Sequence, residues 1–191
     1  MDQVETNNWG TPNLLTGARI AAVPVVMLLL CFPGRWASFL GALGFVLAGA
    51  TDFLDGFLAR RHRLVSRQGK FMDPLDDKLL VSAALIMLIP LGRVPAWMAF
   101  IIVGRELAVT GLRGLAAAEG LILAPDRWGK AKTLLQMAAL TALILHYPYD
   151  GIDFHGLGMA LLWLALIATL VSGVSYFRAF FREYPESRPA P

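Results

Sequence analysis

The sequence predicts an all-α integral membrane protein, a bundle of about six transmembrane helices. Of its 191 residues, 57% are hydrophobic and 16% are charged, and the mean hydropathy is +0.58. Soluble domains carry about 25% charged residues, so this composition argues against an ordinary soluble domain. The apolar residues also lie in long runs, which favours membrane-spanning helices over one large core.

Six apolar runs are each long enough to cross a bilayer, which takes about 20 helical residues. Their approximate bounds are 14–32, 36–61, 71–92, 94–118, 129–147 and 157–180. Tight breaks such as FPGR at 32–35 separate them. We expect one transmembrane domain over residues 1–182, which begins with a short polar segment, 1–12, and is followed by a cytoplasmic tail, 183–191.

Lysine and arginine residues concentrate in two of the connections between these runs. The connection at 60–70 carries five of them and the connection at 119–132 carries three, whereas 33–35 and 92–95 carry one each. Cytoplasmic loops of membrane proteins hold the excess of positive charge. We therefore predict a multi-pass protein with both termini and both basic connections in the cytoplasm. Charge clustered in this way does not indicate nucleic acid as a partner.

Five aspartates stand at one predicted membrane edge. Asp52 follows 16 uncharged residues, about 24 Å of helix at roughly 1.5 Å per residue, so it lies near the cytoplasmic edge. Asp55 is one turn closer to the cytosol, and Asp73 and Asp77 begin the next apolar run at the same edge. The i, i+3 and i, i+4 spacings put each pair on one face of its helix. Asp76 points off the shared face and is interpreted as a solvated charge.

Four carboxylates in one small volume would repel one another, and a divalent cation is the simplest way to neutralise them. Carboxylate oxygens suit Mg²⁺, Mn²⁺ or Ca²⁺. Gly56 and Ala59 lie on the same helix face as the first aspartate pair and are small enough for a ligand or another helix to approach the backbone. The guanidinium of Arg60, one turn after Gly56, suits a phosphate. Aspartates at a membrane edge can also simply face water, pair with arginine or cap a helix. Two helix-spaced pairs at equal depth favour a site over that alternative.

Cationic residues of the later runs form a second group. Arg105 follows 11 uncharged residues, about 16 Å of helix, which is deep for a guanidinium in a membrane. Arg113 comes eight residues later and roughly on the same face, so we predict an anion site for this pair and a structural ion pair for Glu106. Lys130 and Lys132 begin the fifth run at the cytosolic edge. For them, anchoring at the membrane interface is as good an interpretation as a role in the anion site.

Eight fixed positions over 26 residues resemble in full the signature of the CDP-alcohol phosphotransferase family: Asp52-x2-Asp55-Gly56-x2-Ala59-Arg60-x8-Gly69-x3-Asp73-x3-Asp77. Other segments resemble the bacterial phosphatidylglycerophosphate synthases within that family, among them TPNLLTGARI, GRELAVTGLRGLAAAEG and WGKAKTLLQM. Asp76 departs from the pattern, because a small residue such as alanine is expected there. It is not one of the signature aspartates.

The resemblance implies a membrane enzyme with six transmembrane helices, usually a homodimer, that uses a pair of Mg²⁺ or Mn²⁺ ions. Residues 1–182 would then be the catalytic domain. The metal ligands would be Asp52, Asp55, Asp73 and Asp77. Asp77 would also be the general base on the acceptor hydroxyl. The CDP and pyrophosphate groups would be bound by Asp52, Gly56, Ala59, Arg60 and Gly69.

The resemblance also implies a reaction: CDP-diacylglycerol and glycerol 3-phosphate give phosphatidylglycerol phosphate and CMP. The enzyme would lie among the lipids of the bacterial cytoplasmic (inner) membrane, with its active site facing the cytoplasm. Candidates for the acceptor phosphate are Arg105, Arg113, Lys130, Thr16 and Arg19. The signature leaves other acceptors open, namely serine, inositol phosphate or phosphatidylglycerol. A cation transporter is the alternative from another class, although it would distribute its acids through the membrane depth.

Overall fold

The computed structural model of the protein describes residues 11–62, 69–121, 127–149 and 151–183, with side chains for 21–51, 78–121, 129, 131–149 and 151–182. The backbone of these ranges forms six α-helices and no β-strand. The helices are α1 (Thr11–Leu30), α2 (Arg35–His62), α3 (Gly69–Leu88), α4 (Ala96–Ala118), α5 (Arg127–Leu145) and α6 (Phe154–Glu183). Each lies within a few residues of one predicted apolar run, so the all-α prediction is confirmed.

One helix within the described ranges is long and apolar enough to cross a membrane by length and composition, Phe154–Arg182 of α6. Shorter apolar stretches occur at Ala21–Leu30, Lys78–Leu88 and Ala131–Leu145. The same α6 exposes several large apolar side chains: Trp163, Leu164, Ile167, Leu170, Val171, Val174, Phe177 and Phe181. Apolar surface of this extent is typical of a face that contacts lipid or another protein. The prediction of six membrane crossings stays a prediction.

The helices group into two compact units, Met1–Met87 and Leu88–Pro191, here called the N-terminal and C-terminal units. In the N-terminal unit, α1 packs against α2. Val26 of α1 is buried, and a Cβ atom on Gly44 of α2 would lie 3.3 Å from its Cγ2. The missing side chain therefore lets the two helices approach closely.

In the C-terminal unit, α6 packs against α5 and, over a smaller area, against α4. The closest approach is at Gly158, where a Cβ atom would lie 2.7 Å from Cγ and 2.9 Å from the backbone nitrogen of Leu143. Further along, Nε2 of Gln136 donates to Oγ1 of Thr169 at 3.2 Å, and both residues are buried. A buried polar group needs a partner, so this bond opposes any sliding of α6 along α5.

A Schellman motif ends α4. The N–H of Leu121 donates to the carbonyl of Ala116 at 2.8 Å, and the N–H of Gly120 donates to that of Ala117 at 3.2 Å. Gly120 has a φ of +73°, which a residue without a Cβ atom adopts without strain. Leu121 then packs on a cluster that includes Val109. The motif stops α4 where the second basic connection begins.

Side chains cap the helix ends at the turn between α5 and α6. Nη1 of Arg93 donates to the carbonyl of Ile144 at 2.8 Å and, more weakly, to that of Leu143 at 3.4 Å. These are among the last carbonyls of α5, which have no partner within the helix. At the start of α6, Oδ1 of Asp153 accepts from the N–H of Gly156 at 3.0 Å, which is an N-cap bond.

Two histidines meet at the same turn. Nδ1 of His146 lies 3.3 Å from Nδ1 of His155, and the rings cross at 82° with their centres 5.0 Å apart. One nitrogen must donate and the other accept, so the contact is lost if both rings are doubly protonated. Burial lowers the pKa of His146, and the positive charge of Arg93 and the neighbouring His155 lower it further, against the opposing effect of Asp153.

We predict that Gly158→Ala destabilises the protein. The added methyl group would lie against Leu143, including its backbone nitrogen, and overpacking of this kind costs about 1–3 kcal/mol. The matched control is Gly111→Ala, because a Cβ atom there meets nothing within 4 Å among the described residues. The measurement is the thermal unfolding midpoint of the purified protein in detergent. Equal midpoints for the two variants would contradict close α5–α6 packing at Gly158.

We predict that acidification destabilises the α5–α6 turn through His146. Its folded-state pKa is lowered from 6.5, so just below that pH the folded protein binds fewer protons than the unfolded chain, and stability falls as the pH falls. The unfolding midpoint should drop more between about pH 7.5 and about pH 5.5 in the wild type than in His146→Asn. Asparagine tolerates the φ of +55° at this position. Parallel pH profiles would rule out this contribution of His146.

Candidate functional site

The four signature aspartates lie on two helices of the N-terminal unit. Asp52 and Asp55 stand inside α2, and Asp73 and Asp77 stand in the first turns of α3. At about 3.6 residues per turn, the Cα atoms of each pair fall on one side of their helix. The four side chains lie outside the described residues, so their mutual distances, and with them the metal site, stay a prediction. The described side chains contain no group of three or more potential metal ligands.

The remaining residues predicted from the signature and the matching segments also stand on helices. Their side chains lie outside the described residues, so no contacts are assigned to them. The positions are Thr16 and Arg19 on α1, Gly56, Ala59 and Arg60 on α2, Gly69 at the start of α3, and Lys130 in the first turn of α5.

A cluster of charged and polar side chains joins α4, α5 and α6 in the C-terminal unit. Nη1 of Arg105 donates to Oε1 of Glu106 at 3.2 Å, and Nζ of Lys132 donates to the same oxygen. Nη2 of Arg105 donates to Oγ of Ser172 at 2.6 Å. Ser172 and Lys132 are buried. A buried charge is costly unless it is paired, so the shared carboxylate stabilises both cations.

The ring of Tyr176 adds a second contact for the arginines of α4. The guanidinium carbon of Arg105 lies 5.9 Å from the ring centre, and that of Arg113 lies 6.0 Å from it. Both distances are in the range of cation–π interactions. The prediction that these two arginines share a face of α4 is therefore confirmed. We call Arg105, Glu106, Arg113, Lys132, Ser172 and Tyr176 the polar cluster.

Two interpretations from the sequence have clear outcomes in this cluster. The structural ion pair predicted for Glu106 is confirmed by its contacts with Arg105 and Lys132. Interfacial anchoring of Lys132 is wrong, because this residue is only 7% exposed and its ammonium group bonds to Glu106. A side chain that anchors a helix at a membrane surface keeps its charged end in water.

Sequence reasoning missed the contribution of α6. Ser172 and Tyr176 were not among the predicted site residues, although they contact Arg105 from positions that are 67 or more residues away in sequence. The available signal was weak: a serine, a glycine and a tyrosine at 172, 173 and 176 in an otherwise apolar run. Polar residues within a membrane helix usually face other helices or a cavity.

The charges of the polar cluster suit an anion. Its described side chains include the cations of Arg105, Arg113 and Lys132 and one carboxylate, that of Glu106, so positive charge is in excess. Guanidinium groups bind phosphate oxygens with paired N–H donors, and an ammonium group binds them as a point charge. The arrangement can therefore bind and orient a phosphate group.

Comparison with known proteins gives the family. The family model for CDP-alcohol phosphatidyltransferase matches residues 9–171. Three bacterial relatives share the name CDP-diacylglycerol–glycerol-3-phosphate 3-phosphatidyltransferase. That of Bacillus subtilis (strain 168) is 44% identical in an alignment of 179 residues that covers 87% of this chain and 92% of the relative.

The relative from Rickettsia prowazekii (strain Madrid E) is 44% identical over 169 residues, which are 88% of this chain and 93% of the relative. The relative from Pseudomonas fluorescens is 38% identical in an alignment of 175 residues that covers 88% of each chain. The match of the family model includes the two aspartate-bearing helices and the segment from Arg105 to Lys132. The chain belongs to the CDP-alcohol phosphatidyltransferase family.

Proposed function

We propose that this protein is a CDP-diacylglycerol–glycerol-3-phosphate 3-phosphatidyltransferase, which makes phosphatidylglycerol phosphate and CMP. The observation that carries the proposal is the set of relatives named for this reaction, which are 38–44% identical over most of the chain. The positive polar cluster supports the choice of acceptor, because glycerol 3-phosphate brings a phosphate group that serine lacks.

We propose that all six helices cross the bacterial cytoplasmic membrane, with both termini and the active site on the cytoplasmic side. The helices have between 19 and 30 residues, close to the roughly 20 residues that a crossing requires. The basic connections support this orientation. In this proposal residues 1–182 are one catalytic domain, 183–191 are a cytoplasmic tail, and the enzyme is a homodimer among membrane lipids.

We assign a pair of Mg²⁺ or Mn²⁺ ions to Asp52, Asp55, Asp73 and Asp77. The donor set fits these ions, because it consists of carboxylates alone and both pairs stand on continuous helices at spacings that put each pair on one side. When bound, the ions would neutralise charge on the pyrophosphate and on the departing CMP. In the same proposal Gly56, Ala59, Arg60 and Gly69 bind the CDP group together with Asp52.

The chain's own catalytic group in this reaction is Asp77. Its carboxylate takes the proton from the glycerol 3-phosphate hydroxyl. The hydroxyl oxygen forms a bond to the lipid-linked phosphorus, and the bond from that phosphorus to the CMP oxygen breaks. The proton leaves Asp77 for water, which returns the carboxylate to its starting state. Binding both substrates in one orientation lowers the entropy cost of this step.

We assign the acceptor phosphate to Arg105, Arg113 and Lys130, with Thr16 and Arg19 as further candidates. The contacts of Arg105 and Arg113 with one tyrosine ring support a shared role for these two. Lys132 acts differently, because its ammonium group bonds to Glu106 and so holds the carboxylate that orients Arg105.

We predict that the purified protein releases CMP from CDP-diacylglycerol fastest with glycerol 3-phosphate. The assay supplies Mg²⁺ and one acceptor at a time: glycerol 3-phosphate, glycerol, serine, inositol phosphate or phosphatidylglycerol. Glycerol is the matched control, since it differs only by the phosphate that the cationic residues would bind. Faster release with another acceptor would reassign the substrate. No release with any acceptor would contradict phosphotransfer and favour a cation transporter.

We predict that Asp77→Asn lowers kcat at least about 100-fold, the usual contribution of a general base, with an unchanged unfolding midpoint. Asp76→Asn is the matched control, because Asp76 is the neighbour of Asp77 in sequence but lies outside the signature, and it should keep near wild-type turnover. Asp52→Asn should instead raise the Mg²⁺ concentration needed for half-maximal rate. Normal turnover in folded Asp77→Asn would refute the base assignment.

A further inference from the structure

We propose that Ser172 and Gly173 on α6 are positioning residues for Arg105, and that α6 thereby sets how well the enzyme binds the phosphate of its acceptor. This inference rests on the proposed function, in which Arg105 binds that phosphate. Neither residue belongs to the family signature or to the segments that led to the predicted site.

The guanidinium of Arg105 is held at both of its terminal nitrogens. Nη1 donates to Glu106, the next residue of α4, and Nη2 donates to Ser172 on α6. The guanidinium is a rigid plane, so two bonds to fixed oxygens on different helices define its orientation. At 2.6 Å the bond to Ser172 is the shorter of the two.

Gly173 determines how closely the stem of Arg105 approaches α6. A Cβ atom at this position would lie 3.2 Å from Cγ and 3.3 Å from Nε of Arg105. Any side chain would therefore push the stem away by a few tenths of an ångström. Ser172 and Gly173 are adjacent, so one turn of α6 contacts both the charged end and the stem of the same arginine.

The charge of Arg105 does not depend on Ser172. Glu106 supplies the opposite charge, whereas the serine hydroxyl is neutral and accepts a hydrogen bond from the guanidinium, which has no acceptor of its own. Ser172 is fully buried, so water does not replace its hydroxyl as a partner. Its removal should therefore change the orientation of Arg105 more than the charge of the site. A displacement of about 1 Å in a group that positions substrate can cost about 100-fold in rate.

The test compares Ser172→Ala with Ser175→Ala. Ser175 is the matched control on the same helix, since its hydroxyl bonds to the carbonyl of Val171 at 3.1 Å and is exposed. We expect Ser172→Ala to raise the KM for glycerol 3-phosphate about tenfold, as loss of one well-aligned hydrogen bond to a charged group does. The KM for CDP-diacylglycerol and the unfolding midpoint should match those of Ser175→Ala.

Gly173→Ala gives a second, independent variant. It keeps the serine but displaces the arginine stem, so it should raise the same KM and leave that for CDP-diacylglycerol unchanged. It also carries the test if Ser172→Ala does not fold. A double-mutant cycle with Arg105→Lys then asks whether Ser172 acts through Arg105. In that background Ser172→Ala should change the KM for glycerol 3-phosphate less than about twofold, because the oriented guanidinium is already gone.

The outcomes separate the two proposals. If the wild type releases no CMP with glycerol 3-phosphate, the proposed function fails. If the wild type is active but both α6 variants keep its KM for glycerol 3-phosphate, the positioning role is refuted and the proposed function stands. Equal increases in KM for both substrates together with a lower unfolding midpoint would mean that Ser172 and Gly173 only hold α6 in place, which also refutes positioning.

Discussion

The polar cluster of the C-terminal unit depends on the two ion pairs that the Glu106 carboxylate makes. The carboxylate accepts from Arg105 on its own helix and from Lys132 on α5, and so it keeps two buried or half-buried cations paired. A buried charge is costly unless it is paired, so this carboxylate stabilises both cations. The bond from Lys132 connects α5 to Glu106 of α4, and the preceding residue of α4, Arg105, bonds to Ser172 of α6.

The position of α6 along α5 matters because the described contacts of Arg105 with α6 lie between Ser172 and Tyr176. Gly158 brings the backbones of α5 and α6 together near the start of α6, and the bond from Gln136 to Thr169 holds the register further along. Ser172 follows Thr169 by less than one helical turn. A shift of α6 by one residue would replace its hydroxyl by a neighbour that cannot accept in the same direction. Packing between α5 and α6 therefore affects whether Ser172 can bond to Arg105 of α4.

The two units contribute different chemistry to the proposed reaction. The N-terminal unit carries the aspartates, whose chemistry is that of metal ligands and a base, and the C-terminal unit carries the cations, whose chemistry is that of anion binding. Within the C-terminal unit, Arg105 and Arg113 of α4 contact neutral groups of α6, and Lys132 of α5 is paired with Glu106. The proposed anion site would therefore depend on three helices, and substitutions in α6 that touch no substrate should change its binding.

The sequence by itself determined the helical fold class, the aspartate spacing and the family. These properties are local: the length of an apolar run predicts a helix, and a spacing of three or four residues puts two carboxylates on one helix face whatever the helix packs against. The pairing of Glu106 was also accessible, because one partner, Arg105, is its neighbour in sequence. The number of membrane crossings and the distances between the aspartates remain predictions.

Only the tertiary structure decided the partners that come from distant parts of the chain. Lys132 is buried against Glu106, Arg105 bonds to Ser172, and His146 meets His155 across a turn. Each contact depends on how far one helix slides and rotates against another. This arrangement follows from many small packing contacts, such as the close approach that Gly158 permits, and no spacing in the sequence predicts it.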